Sequence, residues 1–424
     1  MRFLPFPSGC LIMVALSLSV LACHSGDVLT SRTTARSITG LPRSLTAQEA
    51  QLVATNNEFA FALFKAVAES AGPDANVFIS PLSVDIILGM AYNGAAGITQ
   101  AQLQQVLGLS GMSLDQANNS YQSLIALLLQ LDPTVTFALG NSVWYAQGYT
   151  PSPDFTNATR TYFGATVQEL NFGSPSAPAT IDQWVNNITH GRITNIAPEP
   201  IPPNTVVMLA NAIYFDGKWA TRFDPAQTTP AKFGLRTGDT TTVQMMSHAV
   251  PGWLAGDQGT TIAELPYGGG AFRMTIVSPQ EPNGLDSLVP TLTSGKWSGW
   301  VALLNSALLD LHMPKFTIVY GRPLDDVLSS LGAPTVFCQS GNSDFGNMGP
   351  GTLCISTVMH KAFVNVDESG TEAAGASSAG DIDLCYTCFP SVVINHPFLF
   401  IIRERFSGTI LFIGRVMDPA MTST

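Results

Sequence analysis

Apolar positions near the start of the chain recur at helical spacing, and later ones alternate. In "AQEAQLVATNNEFAFALFKAVAES", Leu52, Phe59, Leu63 and Val67 fall on one helical face, and Gly72-Pro73 ends the run. "SLDQANNSYQSLIALLLQL" reads the same way. The next segment, "TVTFALGNSVWYA", switches to strand-like alternation. "TVVMLANAIYF", "FRMTIVSP", "LLDLHMPKFTIV", "STVMHKAFVNV", "FLFIIRER" and "TILFIGRV" continue as strands. Helices first and strands later predict an α+β fold with large, mostly antiparallel sheets.

One apolar run stands apart. "CLIMVALSLSVLAC" follows a single Arg, precedes the polar His24 and is too short to span a bilayer comfortably, so it reads as a secretory signal over residues 1–23. Its ending, "VLAC", resembles a bacterial lipobox, which would make Cys23 the lipidated first residue of an outer-membrane lipoprotein. Cleavage near Ala22 by an ordinary signal peptidase is the alternative and would give an extracellular protein. Residues 24–46 are rich in Ser and Thr and read as a flexible tether. Uniform composition beyond, with no repeat or second linker, predicts one domain over 47–424.

Composition narrows the function classes. Of 424 residues, 46% are hydrophobic and 12% charged, which is too apolar for disorder and enough for a sizeable core. A net charge of −11 without any Lys/Arg cluster disfavours nucleic acid and acidic polysaccharide as partners. Setting Cys23 and the signal aside leaves Cys338, Cys354, Cys385 and Cys388, an even number suited to disulfides in an exported protein. Three pairings are open. The local pairs, Cys338 with Cys354 and Cys385 with Cys388, are the expected ones. A lone C-x-x-C lacks the second ligand pair of a structural zinc site, and no metal or organic cofactor is expected. A redox role for "CYTC" has no βαβ pattern around it.

Catalytic motifs are missing. The chain has no H-E-x-x-H, no P-loop and no dinucleotide fingerprint, and "GASSAG" lacks the G-x-S-x-G spacing. His360 sits in an apolar strand and reads as a hydrogen-bonded structural histidine rather than a general base. The absence of these motifs lowers the odds of an enzyme without excluding one.

Several stretches together resemble the serpin family from about residue 50 to 419. They are "NVFISPLSVDIILGMAYNGAAGITQAQLQQVL", "LANAIYFDGKWATRFDPAQTTPAKF", "AELPYGGGAFRMTIVSP", "HMPKFTIVYGRPLDDVLSSLG", "HKAFVNVDESGTEAAGASS" and "NHPFLFIIRERFSGTILFIGRVMDP". The resemblance implies about nine helices around three mostly antiparallel β-sheets, with an exposed reactive loop near the C-terminus. It also implies a suicide inhibitor of serine, and in some members cysteine, endopeptidases. The protease cleaves the loop and is held as an acyl-enzyme. The freed loop then enters the largest sheet as a central strand and carries the protease to the far pole.

"DESGTEAAGASSAGDIDLC", Asp367 to Cys385, matches that loop. Alone it would pass for a Gly/Ala/Ser linker. Its place after "HKAFVNV" makes it an inhibitory-type hinge with Glu368, Gly370, Thr371, Glu372, Ala373, Ala374, Gly375 and Ala376. In a strand, Thr371, Ala373, Gly375, Ser377 and Ala379 would share the inward face, and Glu372 the outward one. Small side chains let such a segment enter a packed sheet, and Gly370 frees the backbone where it turns. A dozen or so new ladder bonds would stabilise the inserted state by on the order of 10 kcal/mol. That rivals a whole domain's stability of about 5–15 kcal/mol, so the uncleaved state would be kinetically trapped.

Other positions carry over from the resemblance. Ser80, Ser83, Asn211 and His360 match a polar cluster that governs opening of the main sheet, and Ser80 also suits a helix cap before Pro81. Trp219 matches the aromatic where insertion begins. Glu368 and Lys315 match a charged pair there, which would contribute only about 0–1 kcal/mol if exposed. The hinge length places the reactive bond between Leu384 and Cys385, with cleavage after Asp383, Tyr386 or Phe389 as alternatives. Leu384 suits chymotrypsin-, elastase- or subtilisin-like proteases. No Lys or Arg occurs from Asp367 to Pro397, which disfavours trypsin-like ones.

Asp381 and Asp383 share the parity of Thr371, so deep insertion would bury unpaired carboxylates. They keep a non-inhibitory binding protein of the same fold as the alternative. From Arg43 to Arg160 only Lys65 is basic between the two ends, which disfavours activation by glycosaminoglycans. A monomer is expected, attached to membrane only through a lipid anchor.

Overall fold

The computed structural model describes residues 37–371 and 389–421. Within them nine α-helices form: α1 (Ala47–Ala71), α2 (Pro81–Gly94), α3 (Gly97–Val106), α4 (Leu114–Gln130), α5 (Pro153–Phe163), α6 (Ala177–Ile188), α7 (Leu285–Leu288), α8 (Ser294–Leu303) and α9 (Asp325–Ser330). Strands β1 (Val77–Ile79), β2 (Val135–Ala146), β3 (Thr166–Leu170), β4 (Val207–Lys218) and β5 (Thr229–Gly234) are interspersed with the early helices. The middle of the chain supplies β6 (Thr240–Asp257), β7 (Thr260–Pro266), β8 (Phe272–Pro279), β9 (Asn305–Pro314) and β10 (Phe316–Pro323). Last come β11 (Met359–Asp367), β12 (Gly370–Thr371), β13 (Ser391–Val393), β14 (Phe398–Glu404) and β15 (Ile410–Val416).

Local chemistry explains the helix starts. Thr46 Oγ1 accepts from the Glu49 N–H at 3.2 Å while Glu49 Oε2 accepts from the Thr46 N–H at 2.7 Å, a reciprocal cap for α1. Ser80 caps α2, with Pro81 at its first turn. Every residue of α2 is buried, the polar Ser83, Asp85 and Asn93 included, so this mostly apolar helix runs through the core. Residues 37–46 depart from the expected tether. Ile38 N–H donates to Gly269 O at 2.9 Å, and Ile38, Leu41 and Leu45 pack against the core. Their apolar surface holds this stretch to the body.

The strands described form two hydrogen-bonded sheets rather than three. The larger runs β1-β15-β14-β8-β7-β6-β9-β13, with β5 also on β6, and the smaller runs β10-β11-β12-β4-β2-β3. The reason is β6. It pairs with β5 through Thr240–Met245, with β9 over Met245–Leu254 and with β7 at Trp253–Asp257, so one long strand joins what would be two sheets. Every ladder is antiparallel except β2 with β3 and β13 with β9. The run "LLDLHMPKFTIV", read as one strand, divides at Lys315 between the two sheets.

Helix α2 packs on β4 of the smaller sheet and β15 of the larger. The other face of the smaller sheet is covered by α6, where Ile181 and Val185 join Trp144 and Ala212 in a second apolar cluster. Alternate residues of β11 remain half-buried, so that face is covered only in part.

Candidate functional site

Strand β12 has two residues yet ladders on both sides. Gly370 faces Lys218 of β4 and Asp367 of β11, and Thr371 faces Gly217 and Val366. A Cβ on Gly370 would stand 2.2 Å from Gly217 O, and its φ is 152°, so only glycine fits. Thr371 is buried, and its hydroxyl meets that of Tyr267 at 2.6 Å, the inward orientation expected from its parity.

Aromatic and charged groups hold this turn. The Trp219 ring stacks on Tyr267 with centroids 4.5 Å apart. Its Nε1–H donates to Asp367 O at 3.0 Å, and its backbone N–H donates to Ser369 O at 2.9 Å. Glu368 accepts from Lys315 Nζ at 2.8 Å and from Thr228 Oγ1 at 2.7 Å. Burial opposes the Glu368 charge, but the hydrogen bonds from Lys315 and Thr228 outweigh it and hold the carboxyl below its ordinary range. The pair is less exposed than expected from sequence, with Glu368 at 12% and Lys315 at 39%.

Beyond Thr371 the two neighbours of β12 part. Among the described residues no ladder joins Val207–Asp216 of β4 to Met359–Asn365 of β11, which leaves a gap in the smaller sheet. Five buried polar residues lie under it. Ser83 Oγ donates to Asn211 Oδ1, and Asn211 Nδ2 donates to Asn141 Oδ1 at 2.6 Å. Ser80 Oγ donates to Leu411 O at 2.8 Å and accepts from the Ser83 N–H, while the Ser80 N–H donates to His360 Nε2 at 3.2 Å.

The cluster therefore has two arms. Among the described residues His360 is linked to Asn211 only through Ser80 and Ser83. Accepting a backbone N–H requires neutral Nε2, and burial pushes the His360 pKa down to about 4. At its far end the gap widens into a cavity of about 390 Å³. Val207, Met208, Leu209 and Ala210 line one wall, residues 352–359 the other, and Ile87 and Leu88 of α2 the floor. No charged side chain lines it.

Cys338 and Cys354 are joined by a disulfide with a Cα–Cα distance of 4.9 Å. Glu372, Ala373, Ala374, Gly375, Ala376, Asp381, Asp383, the Leu384–Cys385 bond, Cys388 and Cys23 lie outside the described residues. Among those described, no group of three or more His, Cys, Asp and Glu could hold a metal ion. No helix among them is long and apolar enough to cross a membrane.

A gapped sheet with a glycine-led strand started at one end is an arrangement that comparison with known proteins can test. The family model described as serpin (serine protease inhibitor) matches residues 54–419. The chain belongs to the serpin family. Leukocyte elastase inhibitor A of Mus musculus is 34% identical over 382 residues, covering 87% of this chain and all of the relative. Iripin-2 of Ixodes ricinus is 32% identical over 379 residues, covering 87% of this chain and 94% of the relative. Human thyroxine-binding globulin in complex with thyroxine superposes with a TM-score of 0.80 at 27% identity, covering 88% of this chain and all of that one. The thermophilic serpin tengpin in its native state gives a TM-score of 0.80 at 28% identity, covering 92% and 98%. Protease inhibition, rather than catalysis, is the activity that these relatives support.

In this serpin the structure brings Glu368, Gly370, Thr371, Trp219 and Lys315 together at one end of the gap, and Ser80, Ser83, Asn211 and His360 beneath its middle. Sequence reading missed Tyr267, Thr228 and Asn141. Tyr267 stood within "AELPYGGG", quoted for the resemblance, but nothing local marked it as a partner of Thr371. Asn141 sits in a strand of mixed pattern with no signal of its own.

Proposed function

We propose that this serpin is a suicide inhibitor of serine endopeptidases of the chymotrypsin, elastase or subtilisin type. The observation that carries the reading is Gly370–Thr371, already laddered between β4 and β11 at the head of an unpaired gap. The protease serine would attack the Leu384 carbonyl, release the amine of Cys385 and remain as an ester. Residues from Glu372 onward would then fill the gap, with Ala373 and Gly375 following Thr371 toward α2. Some cysteine proteases fall within the same reading, and the inhibitor acts as a monomer. Export by residues 1–23, with lipidation at Cys23, completes it.

Incubation with chymotrypsin, elastase and subtilisin, followed by denaturing electrophoresis and intact mass, tests the proposal. The expected product is a denaturant-resistant adduct plus a C-terminal peptide beginning at Cys385. Clean cleavage without adduct by all three would favour a binding protein, as thyroxine-binding globulin is by its description. Asp381 and Asp383 are the features of this chain that make that second reading worth testing.

A further inference from the structure

The far end of the gap has a wall that the sheet does not hold. Strand β11 starts at Met359, opposite Pro323, the last residue of β10. Leu324 N–H still reaches Val358 O at 2.9 Å. Before Val358 the chain from Thr352 to Thr357 lines the cavity but belongs to no strand. Its opposite wall, Val207–Ala210, lies within β4 and is laddered to β2.

Cross-links outside the sheet hold this stretch. Asp325 Oδ1 accepts from the Val358 N–H at 2.7 Å and from Thr357 Oγ1 at 3.0 Å. Ile355 bridges to Phe337, with Cys338 N–H donating to Ile355 O at 3.1 Å and Ile355 N–H to Val336 O at 3.0 Å. The disulfide from Cys338 to Cys354 is the covalent member of the set, and both cysteines line the cavity. Cys338 is exposed and Cys354 half-buried, so a soluble reductant can reach the bond.

We infer that the Cys338–Cys354 disulfide is a positioning element of the insertion gap, fixing the one wall that lacks ladder support. The inference rests on the inhibitory reading above. A strand completes its ladder only when both edges stand one strand spacing away, and a loose wall must first be ordered at an entropic cost. With the bond open, completion of insertion slows, and more acyl-enzyme is hydrolysed before the protease is trapped.

Opening the bond needs a dithiol reductant. One of its thiolates attacks a sulfur of the pair, and the other cysteine sulfur leaves as a thiolate and takes up a proton. The second reductant thiol then resolves the mixed disulfide, leaving two protein thiols and an oxidised reductant.

The test compares oxidised protein, dithiothreitol-reduced protein and the double variant Cys338→Ser/Cys354→Ser by hydrogen exchange and by adduct yield. The double variant leaves Cys385 and Cys388 untouched. Reduced protein and variant should exchange about tenfold faster at residues 352–359, with β14, β15 and the laddered wall at Val207–Ala210 unchanged. Their ratio of adduct to cleaved inhibitor should fall at least about threefold, a shift of roughly 0.7 kcal/mol in partitioning, and reoxidation of the reduced protein should restore it. Unchanged exchange in this stretch, a rise spread evenly over both sheets, or faster local exchange with an unchanged ratio would overturn the inference. If the double variant does not fold, the reversibly reduced protein carries the comparison. If the oxidised protein forms no adduct with any protease, the inhibitory reading fails, while the exchange data still decide whether the disulfide positions the wall.

Discussion

The two sheets draw on similar apolar strands, yet among the described residues one is laddered throughout and the other has no ladder between β4 and β11 beyond β12. The larger is locked by a buried ion-pair network. Glu264 accepts from Arg273 at 2.6 Å, from Arg403 at 2.7 Å and from Thr275 at 2.7 Å, with Arg273 lying over the Trp253 ring. Burial opposes the Glu264 charge, but Arg403 and Arg273 overcome it and keep the carboxyl below its ordinary range. The smaller sheet has no such lock across its gap. Its two edges are held apart at one end by a two-residue strand and underpinned by neutral hydrogen bonds. The difference teaches that a locked sheet and a sheet whose strands β4 and β11 share no ladder among the described residues can be built on one core.

The largest expected effect fills the gap. Loop cleavage should stabilise the protein by on the order of 10 kcal/mol, read as a marked rise in thermal midpoint. Thr371→Arg should abolish that rise and the adduct, because Thr371 is buried and a guanidinium in its place would displace the Tyr267 contact. An undiminished rise in the variant would break the comparison. Next, Glu264→Ala should cost about 3–5 kcal/mol by leaving two buried arginines uncompensated. Denaturant unfolding measures this, and the adduct ratio should not move.

Two buried groups, Asp85 on α2 and His360 on β11, sharpen the contrast through pH. Asp85 is fully buried, with Tyr121 and Asn56 as its polar neighbours, and burial outweighs them and pushes it up to about 7. A carboxyl raised in the native state contributes stability that is complete below the unfolded value near 3.8 and is lost as pH rises to about 7. Asp85→Asn should therefore raise stability at pH 8 by about 2–4 kcal/mol. His360 has the opposite slope. Held neutral with a native pKa of about 4, it costs stability as pH falls from 6.5 to about 4, by at most about 3 kcal/mol. The two slopes oppose each other in the parent protein. Asp85→Asn should thus expose the acid sensitivity of His360 in urea unfolding between pH 4 and 7, and a flat profile in that variant would refute the His360 assignment.

The smallest effect belongs to Lys315→Ala. Because Lys315 is 39% exposed, loss of its bond to Glu368 should change global stability by under about 1 kcal/mol. Faster amide exchange at Ser369 and Gly370 is the readout, and none would mean that the Trp219 and Thr228 contacts hold the turn without Lys315.

Much of the site was legible from local pattern and resemblance. Gly370 and Thr371 stood in a small-residue run after an apolar strand, and Ser80 stood before a proline at a helix start. Lys315 and Glu368 were paired correctly, but their partial burial was not readable, because Thr228 reaches Glu368 from 140 positions away. The sequence by itself determined most element types, the inward parity of Thr371 and the available cysteines, since these depend on neighbours a few residues apart. Tertiary structure alone decided that Tyr267 meets Thr371, that Asn141 joins Asn211, that β6 fuses two sheets and that, among the described residues, β4 and β11 share no ladder. Each of these depends on which distant backbone edge supplies a partner, and a one-dimensional pattern of polar and apolar residues does not encode that choice.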